Sequence, residues 1–206
     1  MLGAMYFLLR GTPFIYQGQE LGMTNFERKS IDEFNDISSI DQYYRSIQEG
    51  LSEEEALKVI NLRSRDNSRT PFPWNSSEYG GFSKVKPWLG MIENYKGINA
   101  EAQVGQDDSI YEVYKKMIDF RQNSIYSECL IYGNITAIDT ENDEVIAYTR
   151  KDGNETIYCY FNFSQNKVFE PLNIKSKKVI FNNLKEVDIS EDGIILKPNQ
   201  ALLITI

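Results

Sequence analysis

The chain has 206 residues, 41% apolar and 25% charged, enough for one large domain or two small ones with a real core. A formal net charge of −8 with no basic stripe argues against a nucleic-acid partner, and no run of about 18 apolar residues offers a membrane span. The absence of histidine removes Ser-His-Asp and Cys-His catalysis and argues against a zinc site. The two cysteines, Cys129 and Cys159, are too few for a disulfide framework, which favours a cytoplasmic location.

In chain order, residues 1–10 are apolar and helix-like. They lack the basic leader and small-residue cleavage site of a signal peptide and read as a truncated buried helix. Thr12-Pro13-Phe14-Ile15-Tyr16-Gln17-Gly18 is a short apolar run between turn formers and predicts a buried strand, so helix and strand together suggest a parallel α/β unit. Residues 19–40 are polar and irregular, and two helices follow. The second starts at a capping box, Ser52 with Glu55, ahead of Ala56, Leu57, Val59 and Ile60. Residues 66–107, with Trp74 and Trp88, read as a long loop or lid.

Asp108-Ser109 opens another helix with a second capping-box glutamate at Glu112. Ile110, Val113, Tyr114, Met117, Ile118 and Arg121 form its inner face, with Arg121 at the edge and only its stem buried, and it ends near Gln122-Asn123. From about residue 130 the hydrophobic period changes to two. Residues 145–150 and 156–161 predict a hairpin around Asp152-Gly153, with Cys159 packing as a small hydrophobe. Short strands near 168–171, 178–181, 186–189, 193–197 and 200–206 then indicate an antiparallel sandwich. The expected domains are residues 1–127 and 128–206.

The segment carrying most chemistry is Arg65-Asp66-Asn67-Ser68-Arg69-Thr70-Pro71-Phe72-Pro73-Trp74. Two guanidiniums four residues apart bracket a carboxylate. Such forks can donate to vicinal hydroxyls, and a tryptophan face can stack on a sugar. The same residues equally fit an Arg–Asp network pinning a loop, with Trp74 in the core.

This decapeptide resembles the Arg-Asp-Asn-Ala/Ser-Arg-Thr-Pro-Met-Gln-Trp signature of oligo-1,6-glucosidases, dextran glucosidases and trehalose-6-phosphate hydrolases, in glycoside hydrolase family 13. Residues 11–23 resemble the family's eighth barrel strand, and Ser30–Ile37 and Asn94–Asn99 match further blocks in family order. The resemblance implies a remnant of a (β/α)8 barrel, strand eight and its following helices, joined to a C-terminal antiparallel β-sandwich. It also implies retaining hydrolysis by two carboxylates ~5–5.5 Å apart, with a third steadying the sugar. All three map upstream of Met1, so no catalytic residue is expected in the chain, and the isolated chain is expected to be inactive.

What the resemblance leaves here is part of the glucose pocket. Arg65 is the expected substrate contact, normally paired with an upstream Asp and otherwise wet and idle. Arg69 orders the pocket wall beside it, and Tyr16, Glu20 and Asp66 support, Glu20 by bracing the barrel end. The implied ligands are α-glucose-terminated oligosaccharides linked 1,6 or 1,4, with no cofactor and no metal. Trehalose-6-phosphate hydrolysis and sucrose isomerisation stay open within the class. The sequence departs from the family at Gln19, Ser38, Phe72-Pro73 and Asn75, which bears on linkage preference. Two other readings remain. Tyr158, Tyr160, Phe161 and Phe163 could present aromatics to a glycan in a non-catalytic binding module, and exposed barrel surfaces could drive self-association.

Overall fold

The computed structural model describes residues 1–153, 155–172 and 178–205. In chain order the α-helices are α1 (Leu2–Phe7), α2 (Ile37–Gln48), α3 (Glu53–Arg63), α4 (Ala100–Gln103), α5 (Ile110–Asn123) and α6 (Ser127–Tyr132). The strands are β1 (Asn134–Ile138), β2 (Val145–Asp152), β3 (Glu155–Asn162), β4 (Val168–Pro171), β5 (Lys178–Asn182), β6 (Asp188–Ile189), β7 (Gly193–Leu196) and β8 (Ala201–Thr205). Contacts divide the chain into two compact units, Met1–Phe14 with Val113–Ile206, and Ile15–Glu112.

In the unit Ile15–Glu112, α2 packs on α3 around Phe34, Tyr43, Ala56 and Ile60. The capping box forms as its sequence requires: Ser52 Oγ accepts from Glu55 N, and the Glu55 carboxylate accepts from Ser52 N at 2.9 Å. Residues 66–107 are not one open loop. Short 3-10 turns at Arg65–Arg69 and Glu78–Gly81 and the helix α4 punctuate them. Trp74 and Trp88 are exposed, so Trp74 is no core residue.

The expected strand at 12–18 does not form. No described residue pairs with it, and Phe14 is 82% exposed. A parallel strand is held by neighbouring strands rather than by its own sequence. Here the chain turns instead, with Met23 N donating to Gly18 O and Gln19 N to Tyr16 O.

In the other unit, the strands form a five-stranded antiparallel sheet, β1-β2-β3-β8-β5, and a three-stranded one, β4-β7-β6. Val145, Ala147, Tyr160, Leu202 and Ile204 of the large sheet meet Val168, Ile194 and Leu196 of the small one in a common core. The hairpin is as expected, with Asp152 opposite Glu155 and Gly153 at φ +54°, a conformation glycine adopts without strain. Asn154 and Ile206, part of that turn and of the last expected strand, lie outside the described residues.

Beneath β3 lie α1 and α6, so this strand is covered on both faces and Tyr160 and Phe161 are both buried. Tyr158 is half-buried and Phe163 exposed. Phe161 stacks on Tyr148, whose hydroxyl donates to Met5 O at 2.8 Å. Cys129 and Cys159 are buried, and burial pushes both thiols up, leaving them as inert packing groups.

Arg121 is not an edge residue. It is buried, and its guanidinium donates to Phe7 O, Leu9 O, Leu130 O and Gly11 O at 2.8–3.1 Å. Arg150 donates to Leu8 O, Leu130 O and Gly133 O. These bonds tie residues 7–11 to the sheet and to α6, so by contacts residues 1–14 group with the strands rather than with residues 15–112. Compactness and the change of hydrophobic period near residue 130 therefore mark different lines along the chain. In α5, Glu112 N donates to Ser109 Oγ, while the Glu112 carboxylate accepts from Gly105 N at 2.9 Å.

Candidate functional site

The motif Arg65–Arg69 folds as a 3-10 turn directly after α3. Asp66 closes it from within. Its side chain has no exposed surface; Oδ2 accepts from Asn35 N at 2.7 Å and Asp36 N at 2.9 Å, and Oδ1 meets Arg69 Nη1 at 3.2 Å. A buried carboxylate is tolerable only with such partners. Asp66 thus anchors a segment 30 residues earlier to the turn, and Arg69 supplies its charge partner from a 43% exposed position.

Asp66 also sets the place of Asp36, the residue just before α2. Asp36 in turn receives Arg65: Oδ1 lies 3.2 Å from Arg65 Nη2, and Oδ2 accepts from Arg65 N at 3.4 Å and from Ser39 Oγ at 2.8 Å. Ser38 Oγ accepts a second bond from Arg65 Nη2 at 2.5 Å. Burial pushes the Asp36 carboxyl up, but the Ser39 hydroxyl, the Arg65 backbone N–H and guanidinium and the Ser38 backbone together hold it below the usual carboxylate range.

Arg65 is 64% exposed, yet it is not idle, since Asp36 and Ser38 fix its guanidinium. Its planar fork faces a depression of about 430 Å³ lined also by Asp36, Ser38, Gln42 and Arg63. That arrangement suits a polyhydroxylated ligand, because a guanidinium held by one carboxylate retains N–H donors for hydroxyl oxygens.

Of the expected supporting residues, Tyr16 and Glu20 sit elsewhere in the same unit. Tyr16 donates its hydroxyl to Ser68 O at 2.6 Å and lines a separate depression of about 140 Å³ with Gly18, Asn25 and Asn67. Glu20 accepts from Gly18 N at 2.8 Å, bracing its own turn. The turn thus joins Arg65, Asp66 and Arg69, Tyr16 touches it from outside, and Glu20 stays local. Asp36 was not singled out from sequence as a site residue, and Ser38 only as a departure from the family pattern. The signal for them was their place just before and within the first turn of a helix, which says nothing of a partner 29 residues on. Among the described residues no group of three or more His, Cys, Asp or Glu could hold a metal ion, and no helix is long and apolar enough to cross a membrane.

Comparison with known proteins agrees with the motif. Residues 1–133 match the model of the alpha amylase catalytic domain, and residues 135–195 that of the maltogenic amylase C-terminal domain. A probable oligo-1,6-glucosidase of Bacillus subtilis (strain 168) is 39% identical over 97% of this chain and 36% of its own length. The isomaltulose synthase SmuA from Protaminobacter rubrum superposes with a TM-score of 0.90 at 38% identity, over 99% of this chain and 37% of that one. The trehalose-6-phosphate hydrolase of Bacillus licheniformis does so with 0.90 at 33% identity and the same coverage. The chain spans a little over a third of the length of these relatives.

Proposed function

We propose, for a chain that belongs to the α-amylase family of glycoside hydrolases, that it is the C-terminal part of a retaining α-glucosidase and presents Arg65 to a terminal glucose. The substrates are short oligosaccharides ending in α-1,6- or α-1,4-linked glucose. The observation that carries this is Arg65 itself, held at Asp36 and Ser38 with the rest of its fork exposed on a depression of about 430 Å³. A charged hydrogen bond to a desolvated hydroxyl contributes about 1.5–3 kcal/mol.

The same geometry supports inactivity of the chain alone. Retaining hydrolysis needs a general acid whose pKa is raised and a free carboxylate nucleophile. Asp66 is fully buried with both oxygens engaged, and Asp36 is held low by its partners. Neither of the carboxylates at Arg65 is available for either role. The reaction class calls for no cofactor.

The deciding experiment is glucose release from isomaltose at high concentration of the chain, beside a titration with glucose followed by NMR. Expected are no release, and glucose-induced shifts at Ser38, Gln42 and Arg65, those at Ser38 and Gln42 vanishing in Arg65→Ala. Turnover abolished by changing Glu20, Asp32 or Asp36 would overturn the assignment of the carboxylates. Shifts unaffected by Arg65→Ala would remove Arg65 from the pocket. Release from trehalose 6-phosphate or isomerisation of sucrose would move the activity within the class.

A further inference from the structure

The environment of Arg28 has a feature that stability alone does not explain. Its side chain is 1% exposed, between the rings of Phe26 and Phe34 with centroids 5.3 and 4.8 Å from its guanidinium carbon. Nη1 donates to Asn67 Oδ1 at 2.8 Å and Phe26 O at 3.3 Å, whereas Nε and Nη2 are buried without a hydrogen-bond partner. Unpartnered buried donors on a charged group are costly, and an apolar side chain of similar volume would fill the same space without that cost. What a cation supplies here is the bond to Asn67, together with favourable charge interactions toward Asp66 and Glu33.

Asn67 is the central residue of the Arg65–Arg69 turn. Its Oδ1 is taken by Arg28, and its Nδ2 donates to Asn61 O at 2.7 Å near the end of α3. The Asn61 side chain closes the circuit by bonding both Arg28 N, at 2.9 Å, and Arg28 O, at 2.8 Å. Residues 26–28 are thus locked to 61 and 67 through the amides of Asn61 and Asn67. The turn has bonds of its own, Asn67 N to Ser64 O at 3.1 Å and Ser68 Oγ to Arg65 O at 2.8 Å, and Arg28 adds one from a distant segment. Fixing its centre at Asn67 fixes the backbone from which Arg65 departs.

We propose that Arg28 is a positioning residue: through Asn67 it sets the turn that aims Arg65 at its ligand. The proposal rests on the reading of Arg65 as a sugar contact. It assigns Arg28 no contact with the sugar.

The test uses the full chain without sugar, so its outcome does not depend on whether glucose binds. Amide hydrogen exchange of residues 65–69, the Arg65 Nε–H resonance and the thermal midpoint are compared in wild type, Arg28→Met, Arg28→Lys and Asn67→Ala. Ser52→Ala, which removes the cap of α3, serves as the destabilised control. Expected for Arg28→Met is a loss of protection of about ten-fold or more confined to residues 65–69, a shifted Arg65 signal and a midpoint lowered no further than in Ser52→Ala. Asn67→Ala should reproduce the loosening with Arg28 still in place, and Arg28→Lys should restore part of the protection. Ser52→Ala should lower the midpoint without singling out the turn.

Protection lost evenly through residues 15–112, as in the control, would make Arg28 a structural pillar and overturn the proposal. An Arg65 signal unmoved in both Arg28→Met and Asn67→Ala would overturn it as well. If Arg28→Met does not fold, Asn67→Ala decides alone. A chain that passes this test but shows no glucose shifts would fault the sugar reading rather than the brace.

Discussion

Two pairs of arginines, one pair in each unit, work in opposite ways. Arg121 and Arg150 in the sheet-bearing unit are buried and direct their donors to main-chain carbonyls. Arg65 and Arg69 in the unit Ile15–Glu112 are 64% and 43% exposed, and each meets one carboxylate. A guanidinium whose hydrogens are consumed by carbonyls ties chain segments together and has little left for a ligand. One fixed by a single acid keeps both its orientation and spare donors. Burial with carbonyl partners therefore marks a structural arginine, and exposure with an acidic partner marks a recognition arginine.

The largest effect expected from breaking this contrast is at Arg150. Arg150→Ala strands the carbonyls of Leu8 and Gly133, while Leu130 O keeps Arg121; at ~1–3 kcal/mol for each stranded carbonyl a loss of about 3 kcal/mol or more is expected, read as a lowered urea midpoint. A midpoint within experimental error of wild type would mean the cradle is solvated rather than sealed.

Next comes Asp66, the anchor between the two kinds of use. Asp66→Ala leaves the Asn35 and Asp36 amides without their acceptor and Arg69 without its partner, a cost of about 2–4 kcal/mol. Because the damage lies in the unit Ile15–Glu112, near-ultraviolet signals of Tyr148 and Tyr160 should persist at denaturant concentrations where those of Tyr43 and Trp74 are lost. Simultaneous loss of all of them would show that the two units unfold as one.

How much of this was legible in the sequence divides along the same line. Local signals held: the Ser52–Glu55 box, the end of α5 near Asn123 and the hairpin across Gly153 are written within a few residues. Partners distant in the chain were not. Nothing at Arg121 announces four carbonyls, two of them over 110 residues away, so amphipathic spacing alone put it at an edge. The apolar run 12–18 has the composition of a strand, but pairing is decided by neighbours. At the site, the motif named Arg65, Asp66 and Arg69, while Asp36, Asn61 and Arg28 joined them only through long-range hydrogen bonds.

Asp36 gives a smaller effect with a pH signature. Its folded pKa is held below the ordinary aspartate value, so it adds stability that is present above about pH 3.9, where the unfolded residue ionises. That contribution is lost as pH falls through the lower folded value. Asp36→Asn should cost about 1–2 kcal/mol at pH 7, and its stability curve should converge on that of wild type toward pH 2. Parallel curves across that range would mean Asp36 acts through shape rather than charge.

Arg65→Ala should cost the least stability and is the sharpest test of the contrast. With its side chain mostly in solvent, the ion pair to Asp36 is screened on one side, and removal should change stability by no more than about 0.5 kcal/mol. Asp36 keeps the Ser39 hydroxyl and the Arg65 backbone N–H, neither of which depends on the guanidinium. A near-silent thermal midpoint together with lost glucose shifts would separate recognition from folding at one side chain. A midpoint lowered as far as in Asp66→Ala would instead place Arg65 with Arg121 and Arg150, as a guanidinium whose work is to hold the chain.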